Sequence, residues 1–77
     1  MMEILQRLTP IFRDTFADDS IIIDENTTAD DIEAWDSLSH VNLILAIEIA
    51  FEIEFSQREV MSFQNVGDMA ACIESKI

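Results

Sequence analysis

Residues 35–52, which read WDSLSHVNLILAIEIAFE, carry the strongest helix signal in the chain. From Ser37 to Glu52 it contains neither glycine nor proline and is rich in leucine, isoleucine, alanine and glutamate, a composition that favours a helix. Asp36 is a suitable N-cap because its side chain can accept a hydrogen bond from the first turn. The sequence therefore predicts that the longest helix covers residues 37–52.

This helix has more apolar residues than one buried face needs. A core-facing stripe is predicted at Leu43, Ile47 and Phe51, with small alanines beside it. The other apolar residues then fall on different faces of the helix: Leu38, Val41, Ile44, Leu45 and Ile49. Val41 and Leu45 either pack beneath a neighbouring loop or belong to an exposed surface, whereas Leu38 is expected to be exposed.

An amphipathic first helix is predicted over residues 2–16. Its apolar residues recur at three- and four-residue steps: Ile4, Leu5, Leu8, Ile11, Phe12 and Phe16. Pro10 interrupts this pattern, because proline lacks a backbone N–H and is best tolerated in the first turn of a helix. We therefore expect either a kink at Pro10 or a later start, with Thr9 as the N-cap.

Residues 17–36 read as a long acidic loop held by a few apolar side chains. The apolar residues in it are the triplet Ile21-Ile22-Ile23, Ile32 and Trp35. A loop of this length in a compact domain is usually functional, and this one ends directly at Asp36-Ser37.

Two shorter helices are predicted after the long one. Ser56 and Glu59 have the spacing of a capping box that opens a short helix, and Asn65 can cap a last helix that contains Met69 and Ile73. No strand or internal repeat is expected. The predicted fold class is all-α, with four helices, a long loop between the first and second, and a short third helix.

Charge and length restrict the possible functions. The 77 residues carry sixteen acidic and four basic side chains, a formal charge of −12, so nucleic acids and anionic membranes are poor partners. Proteins with basic patches are the expected partners, because complementary charge accelerates encounter. One cysteine, no leader pattern and no apolar run of membrane-spanning length favour a reducing, cytoplasmic location without membrane insertion.

Ser37 lies where the acidic loop meets the start of the strongest helix. Free backbone N–H groups and the positive end of the helix dipole lie there, so a phosphate attached to this hydroxyl would be well placed. The neighbouring Asp36 and His40 suggest a hydrolase, but an aspartate beside the serine cannot also orient that histidine. A domain this small also offers no pocket that excludes water.

The segment Trp35-Asp36-Ser37-Leu38-Ser39-His40-Val41 resembles the phosphopantetheine attachment site of acyl and peptidyl carrier proteins, whose shared core is Asp-Ser-Leu at the start of helix II. The resemblance extends over nearly the whole chain. It implies a four-helix bundle of the acyl-carrier type, with residues 1–77 as a single carrier domain.

The resemblance also implies the chemistry. Ser37 would bear 4'-phosphopantetheine, derived from coenzyme A, and the thiol of this arm would hold acyl or aminoacyl intermediates as thioesters without catalysis by the domain itself. Asp36 would help a phosphopantetheinyl transferase to position magnesium, and Leu38 completes the motif. The face of helix II read by loading, condensing or transferase enzymes would be Leu38, Val41, Asn42, Leu45 and Glu48. The carrier is expected to be monomeric.

Two departures from the common pattern bear on the pathway. Trp35 replaces the small residue often found before Asp-Ser-Leu, and Ser39 and Asn42 stand where carriers of fatty-acid synthesis often have acids. The Trp-Asp-Ser-Leu form resembles carriers of specialised metabolism, including polyketide systems and stand-alone carriers loaded with an amino or hydroxy acid.

The acidic loop, Cys72 and the surplus apolar residues of the long helix each allow another interpretation. An EF-hand that starts at Asp24 would place Ala29 at the required glycine and Trp35 at the bidentate glutamate, so no metal site is predicted. Cys72 lies among small apolar residues, where a lone cysteine is usually a small buried hydrophobe. The remaining alternative is an acidic helical interaction module that is never modified and that binds a partner helix through Leu38, Leu45 and Ile49.

Overall fold

The computed structural model describes residues 2–77. Its α-helices are α1 (Met2–Phe16), α2 (Ser37–Phe51), α3 (Gln57–Ser62) and α4 (Val66–Lys76), and a 3₁₀ turn at Ala29–Asp31 lies between α1 and α2. The described residues contain no strand. The predicted all-α fold, with its long loop and short third helix, is confirmed.

The core forms where the apolar faces of the three longer helices meet. Its fully buried large side chains are Leu8, Phe12, Leu43, Ile47, Val66, Met69 and Ile73. The predicted core stripe of α2 is confirmed, because Leu43, Ile47 and Phe51 are all buried, and Ile44 joins them.

Pro10 does not delay the first helix. The first helix predicted over residues 2–16 is confirmed, and the alternative of a later start with Thr9 as the N-cap is wrong, because α1 runs without interruption from Met2 to Phe16 with Pro10 inside it. The proline ring is exposed, while Leu8 and Phe12 on either side are fully buried. Tertiary packing of both halves of the helix therefore outweighs the loss of one backbone hydrogen bond.

The predicted end caps are present. Asp36 accepts a hydrogen bond from the backbone N–H of Ser39 at the start of α2. Ser56 and Glu59 form the capping box of α3, and the side chain of Asn65 caps α4 through the N–H of Asp68. Since each cap satisfies N–H groups that the helix itself leaves free, the starts of these three helices are determined locally.

Arg7 of α1 contacts the C-terminal end of α2. Its guanidinium Nη2 donates to the backbone oxygen of Ala50 at 3.0 Å, and its Cζ lies 4.0 Å from the centroid of the Phe51 ring. A cation at the C-terminal end of a helix also interacts favourably with the helix dipole. The orientation of α2 relative to α1 is thus fixed by a polar contact as well as by the core.

The loop of residues 17–36 is anchored both by buried side chains and by backbone hydrogen bonds. Ile21, Ile23 and Ile32 are buried in the core, whereas Ile22 is exposed. The loop backbone also accepts hydrogen bonds from the start of α4: Val66 N–H donates to Thr27 O at 2.8 Å and Gly67 N–H to Glu25 O at 2.9 Å. The first turn of α4 therefore holds the acidic loop in place.

Replacing Gly67 with alanine is expected to destabilise the protein. Alanine normally stabilises a helix relative to glycine, but here its Cβ would lie 2.8 Å from the backbone oxygen of Glu25. Relief of this overlap must displace the loop, so we expect a loss of about 1–3 kcal/mol in the free energy of unfolding. Thermal melts will test whether Gly67→Ala lowers the melting temperature. Ala71→Gly in the same helix is the control for helix propensity. A higher melting temperature for Gly67→Ala would contradict the prediction.

Within residues 2–77, no helix combines the length and the apolar character needed to cross a membrane.

Candidate functional site

Ser37 is the first residue of α2, and its side chain is exposed. No other residue of the described part of the chain forms a hydrogen bond with its hydroxyl. The hydroxyl therefore lies beside the N-terminal end of a 15-residue helix, where a negative charge is stabilised by the dipole. An exposed, unengaged hydroxyl at this place fits a phosphodiester-linked group.

Asp36 has one carboxylate oxygen engaged in the helix cap. Its Oδ1 accepts from the N–H of Ser39 at 2.9 Å. The hydrogen bond from the backbone N–H of Ser39 lowers the pKa of Asp36 below its usual value. The carboxylate is therefore ionised at neutral pH, in the residue that immediately precedes Ser37.

Trp35 fixes the end of the loop that precedes the site. Its ring packs edge-on against Phe12, with 5.4 Å between the ring centroids, and also lies against Phe16. Its Nε1–H donates to His40 Nδ1 at 3.1 Å. Trp35, which stands where carriers often have a small residue before Asp-Ser-Leu, thus connects α1, the loop and α2.

His40 is held on both sides of its ring. Because the indole of Trp35 can only donate, His40 Nδ1 must accept, which leaves the proton of the neutral ring on Nε2. Nε2 lies 3.4 Å from the backbone oxygen of Val60 in α3. With both ring nitrogens facing other partners and Asp36 engaged by Ser39, these residues do not form a catalytic triad.

A groove of about 520 Å³ adjoins Ser37. It lies between the loop, the start of α2 and the region from α3 to α4, and its lining is Ala29, Trp35, Asp36, Ser37, His40, Val60, Met61, Phe63, Gln64 and Asn65. Only Asp36 and Ser37 of these had been singled out as site residues from the sequence. Residues 60–65 were missed because nothing in their local pattern shows that α3 lies opposite Ser37.

Most of the predicted partner face of α2 is exposed. The relative exposure is 73% for Leu38, 54% for Val41 and 53% for Leu45, and Asn42 is exposed as well. The alternative in which Val41 and Leu45 pack beneath the loop is wrong. Glu48 is only half-buried, and its Oε2 accepts from the N–H of Phe55 at 2.8 Å.

Cys72 lies on α4 and does not line the groove that adjoins Ser37. It is half-buried, and its Sγ donates to Glu59 Oε2 at 3.2 Å. Burial and the adjacent carboxylate raise the pKa of the thiol, which makes it a poor nucleophile. No cluster of three or more metal-ligating histidine, cysteine or acidic side chains occurs among the described residues.

The Glu59 carboxylate predicts a pH dependence of stability. Hydrogen bonds from the backbone of Ser56, the thiol of Cys72 and the ammonium of Lys76 lower the pKa of Glu59 from 4.5 to about 2. A pKa that is lower in the folded state stabilises the fold above pH 4.5, and this contribution is lost as the pH falls toward 2. We expect Glu59→Gln to melt below Glu54→Gln, the control for loss of one charge, at pH 7. Melts across this range should show the difference closing; a difference independent of pH would contradict the prediction.

The fold and the site together define a small acidic four-helix protein with an exposed serine at the start of its second helix. Residues 3–73 match the family model described as phosphopantetheine attachment site. The holo acyl carrier protein from Geobacter metallireducens, solved by solution NMR, is 50% identical in sequence and superposes with a TM-score of 0.89, covering 94% of this chain and 83% of that one.

The chain belongs to the acyl carrier protein family. It has an acyl carrier function, and its cofactor is covalently attached 4'-phosphopantetheine. Proteins of this family are modified by phosphopantetheinyl transferases and interact with biosynthetic enzymes.

Proposed function

We propose that Ser37 is the residue modified with phosphopantetheine and that residues 1–77 act as one carrier domain without catalytic activity of their own. The observation that carries this proposal is the exposed, unengaged Ser37 hydroxyl at the start of α2, beside a groove. When bound, the phosphopantetheine group supplies a terminal thiol that holds an acyl group as a thioester.

The other residues of the site position Ser37 and keep its surroundings charged. The Asp36 cap holds the first turn of α2, and Trp35 holds the preceding loop against Phe12. Because its low pKa keeps it ionised, Asp36 is also suited to bind the magnesium ion of a phosphopantetheinyl transferase during modification. Leu38, Val41, Asn42, Leu45 and Glu48 are proposed to contact the enzymes that load or unload the carrier.

We also propose that the protein acts in the cytoplasm and that it is a monomer. The free, half-buried Cys72 suits a reducing compartment, and the strong negative charge opposes self-association. The Trp-Asp-Ser-Leu form of the motif keeps specialised metabolism as the predicted branch of biosynthesis.

Modification at Ser37 is tested by intact-protein mass spectrometry of the apo protein. The protein is incubated with coenzyme A, magnesium and a broad-specificity phosphopantetheinyl transferase, and then digested to locate the added mass. One phosphopantetheinyl group on the peptide that contains Ser37 is expected. Modification of another residue, or none, would overturn the assignment.

A further inference from the structure

His40 begins the side of α2 that faces the core. It precedes Leu43 by one turn and Ile47 by two turns of the helix, so the three side chains lie on the same side. Leu43 and Ile47 are fully buried, whereas His40 is half-buried and lines the groove that adjoins Ser37. The imidazole therefore stands between the attachment site and the apolar interior of the protein.

Two polar contacts hold the imidazole in this position. Trp35 Nε1–H donates to His40 Nδ1 at 3.1 Å, which leaves the proton of the neutral ring on Nε2. Nε2 faces the backbone oxygen of Val60 at 3.4 Å. Because Trp35 ends the long loop and Val60 belongs to α3, these contacts connect the loop to α3 through the first turn of α2. They cross the gap between α2 and α3 beside Ser37.

Trp35 covers the core next to His40. Its ring stacks on the imidazole, with 6.0 Å between the ring centroids and 23° between the planes. It also packs edge-on against Phe12, which is fully buried. Trp35 and His40 both line the groove, so their two rings separate the groove from the core. A small residue in place of Trp35 would leave Phe12 without this cover.

The groove itself is open to solvent. Met61 in its lining is 78% exposed, and Ser37 and Gln64 are exposed as well. An acyl chain that is carried on Ser37 and cannot pass His40 therefore stays in contact with water. Apolar surface left in water is unfavourable, and the cost grows with each methylene group. A carrier with this arrangement is suited to short acyl chains.

We propose that Trp35 and His40 close the route between α2 and α3 into the core, and that they thereby restrict the cargo of this carrier to short acyl groups. This proposal rests on the carrier function proposed above and names the class of its cargo. The two residues act by excluding the acyl chain from the core, and neither takes part in forming or breaking the thioester.

The effect of acyl chain length on stability tests this proposal. A broad-specificity phosphopantetheinyl transferase loads the protein from acetyl- or octanoyl-coenzyme A, and the two loaded forms are melted. A chain that enters the core stabilises the fold because its methylene groups leave water. For the wild type we expect the same melting temperature in both forms. For His40→Ala, which opens the route, we expect the octanoyl form to melt more than about 4 °C above the acetyl form.

Each protein is compared with its own acetyl form, so the stability lost through the substitution itself cancels. Met61→Ala is the matched control, because it removes a side chain from the solvent side of the same groove; its two forms should melt together, as in the wild type. A measurement on the wild type alone needs no variant to fold. The methyl resonances of the fully buried Leu43 and Ile47 should be the same in the acetyl and octanoyl forms.

Two results would overturn the proposal. A wild-type octanoyl form that melts above the acetyl form, or that shifts the methyl resonances of Leu43 and Ile47, would show that the chain enters the core. Equal melting temperatures for the two forms of His40→Ala would show that His40 does not close the route. In both cases complete loading at Ser37 leaves the carrier proposal intact. If the wild type gains no phosphopantetheinyl group, the carrier proposal itself fails.

Discussion

Replacing Ser37 with alanine is expected to abolish modification by phosphopantetheine completely while leaving the fold intact. The phosphodiester bond needs the hydroxyl oxygen of Ser37, and alanine has none. The hydroxyl of the nearby Ser39 is engaged with the backbone oxygen of Ala34. The fold should survive because Asp36, and not Ser37, caps the helix, and because alanine is a good helix former. Intact-protein mass spectrometry and a thermal melt measure the two effects.

Ser39 offers a matched control for this variant. It lies in the same turn, and its Oγ donates to the backbone oxygen of Ala34 at 2.9 Å. Ser39→Ala removes that hydrogen bond but leaves its backbone N–H on Asp36, so we expect full modification. Mass gain by Ser37→Ala, or its absence in Ser39→Ala, would show that the modified hydroxyl has been misassigned.

Replacing Phe12 with alanine is expected to have the largest effect on stability. Phe12 is fully buried, and loss of a buried phenylalanine typically costs about 3–5 kcal/mol. A domain of this length has a total stability of roughly 4–12 kcal/mol, so much of it would be lost. The melting temperature should fall by more than about 12 °C.

The Phe12 variant also tests how the site is supported. Phe12 is the edge-to-face neighbour of Trp35, so the fluorescence of the single tryptophan should change together with the loss of helix. Phe16→Ala is the control, because Phe16 also contacts Trp35 but is only half-buried. A melting temperature for Phe12→Ala no lower than that of Phe16→Ala would contradict the role given to Phe12.

Features that depend on a single short segment of the chain, such as helix caps, could be predicted from the sequence. The caps at Asp36, Ser56 and Asn65 depend on hydrogen bonds that span three residues, so their residue types and spacing suffice. The predicted bounds of α1 were right, but the alternative of a later start was wrong, because the local cost of Pro10 is offset by burial of Leu8 and Phe12, which depends on the other helices.

The groove and the backbone hydrogen bonds that join the loop to α4 were beyond prediction for a related reason. His40 meets Val60 across twenty residues, and the loop meets Gly67 across more than forty. Contacts at such separations are set by helix packing, which no local pattern encodes. The single glycine gave no hint that it faces the backbone of Glu25.

Periodicity, capping and composition act within a few residues, so they sufficed to predict four helices, the N-caps of the last three, the acidic charge and the Asp-Ser-Leu motif at the start of α2. Which apolar residues of α2 are covered depends instead on how the helices pack. Both sides of this helix are apolar in sequence, and burial depends on where α1 and α4 pack. In the folded protein Leu43, Ile47 and Phe51 are buried, whereas Leu38, Val41, Leu45 and Ile49 stay exposed.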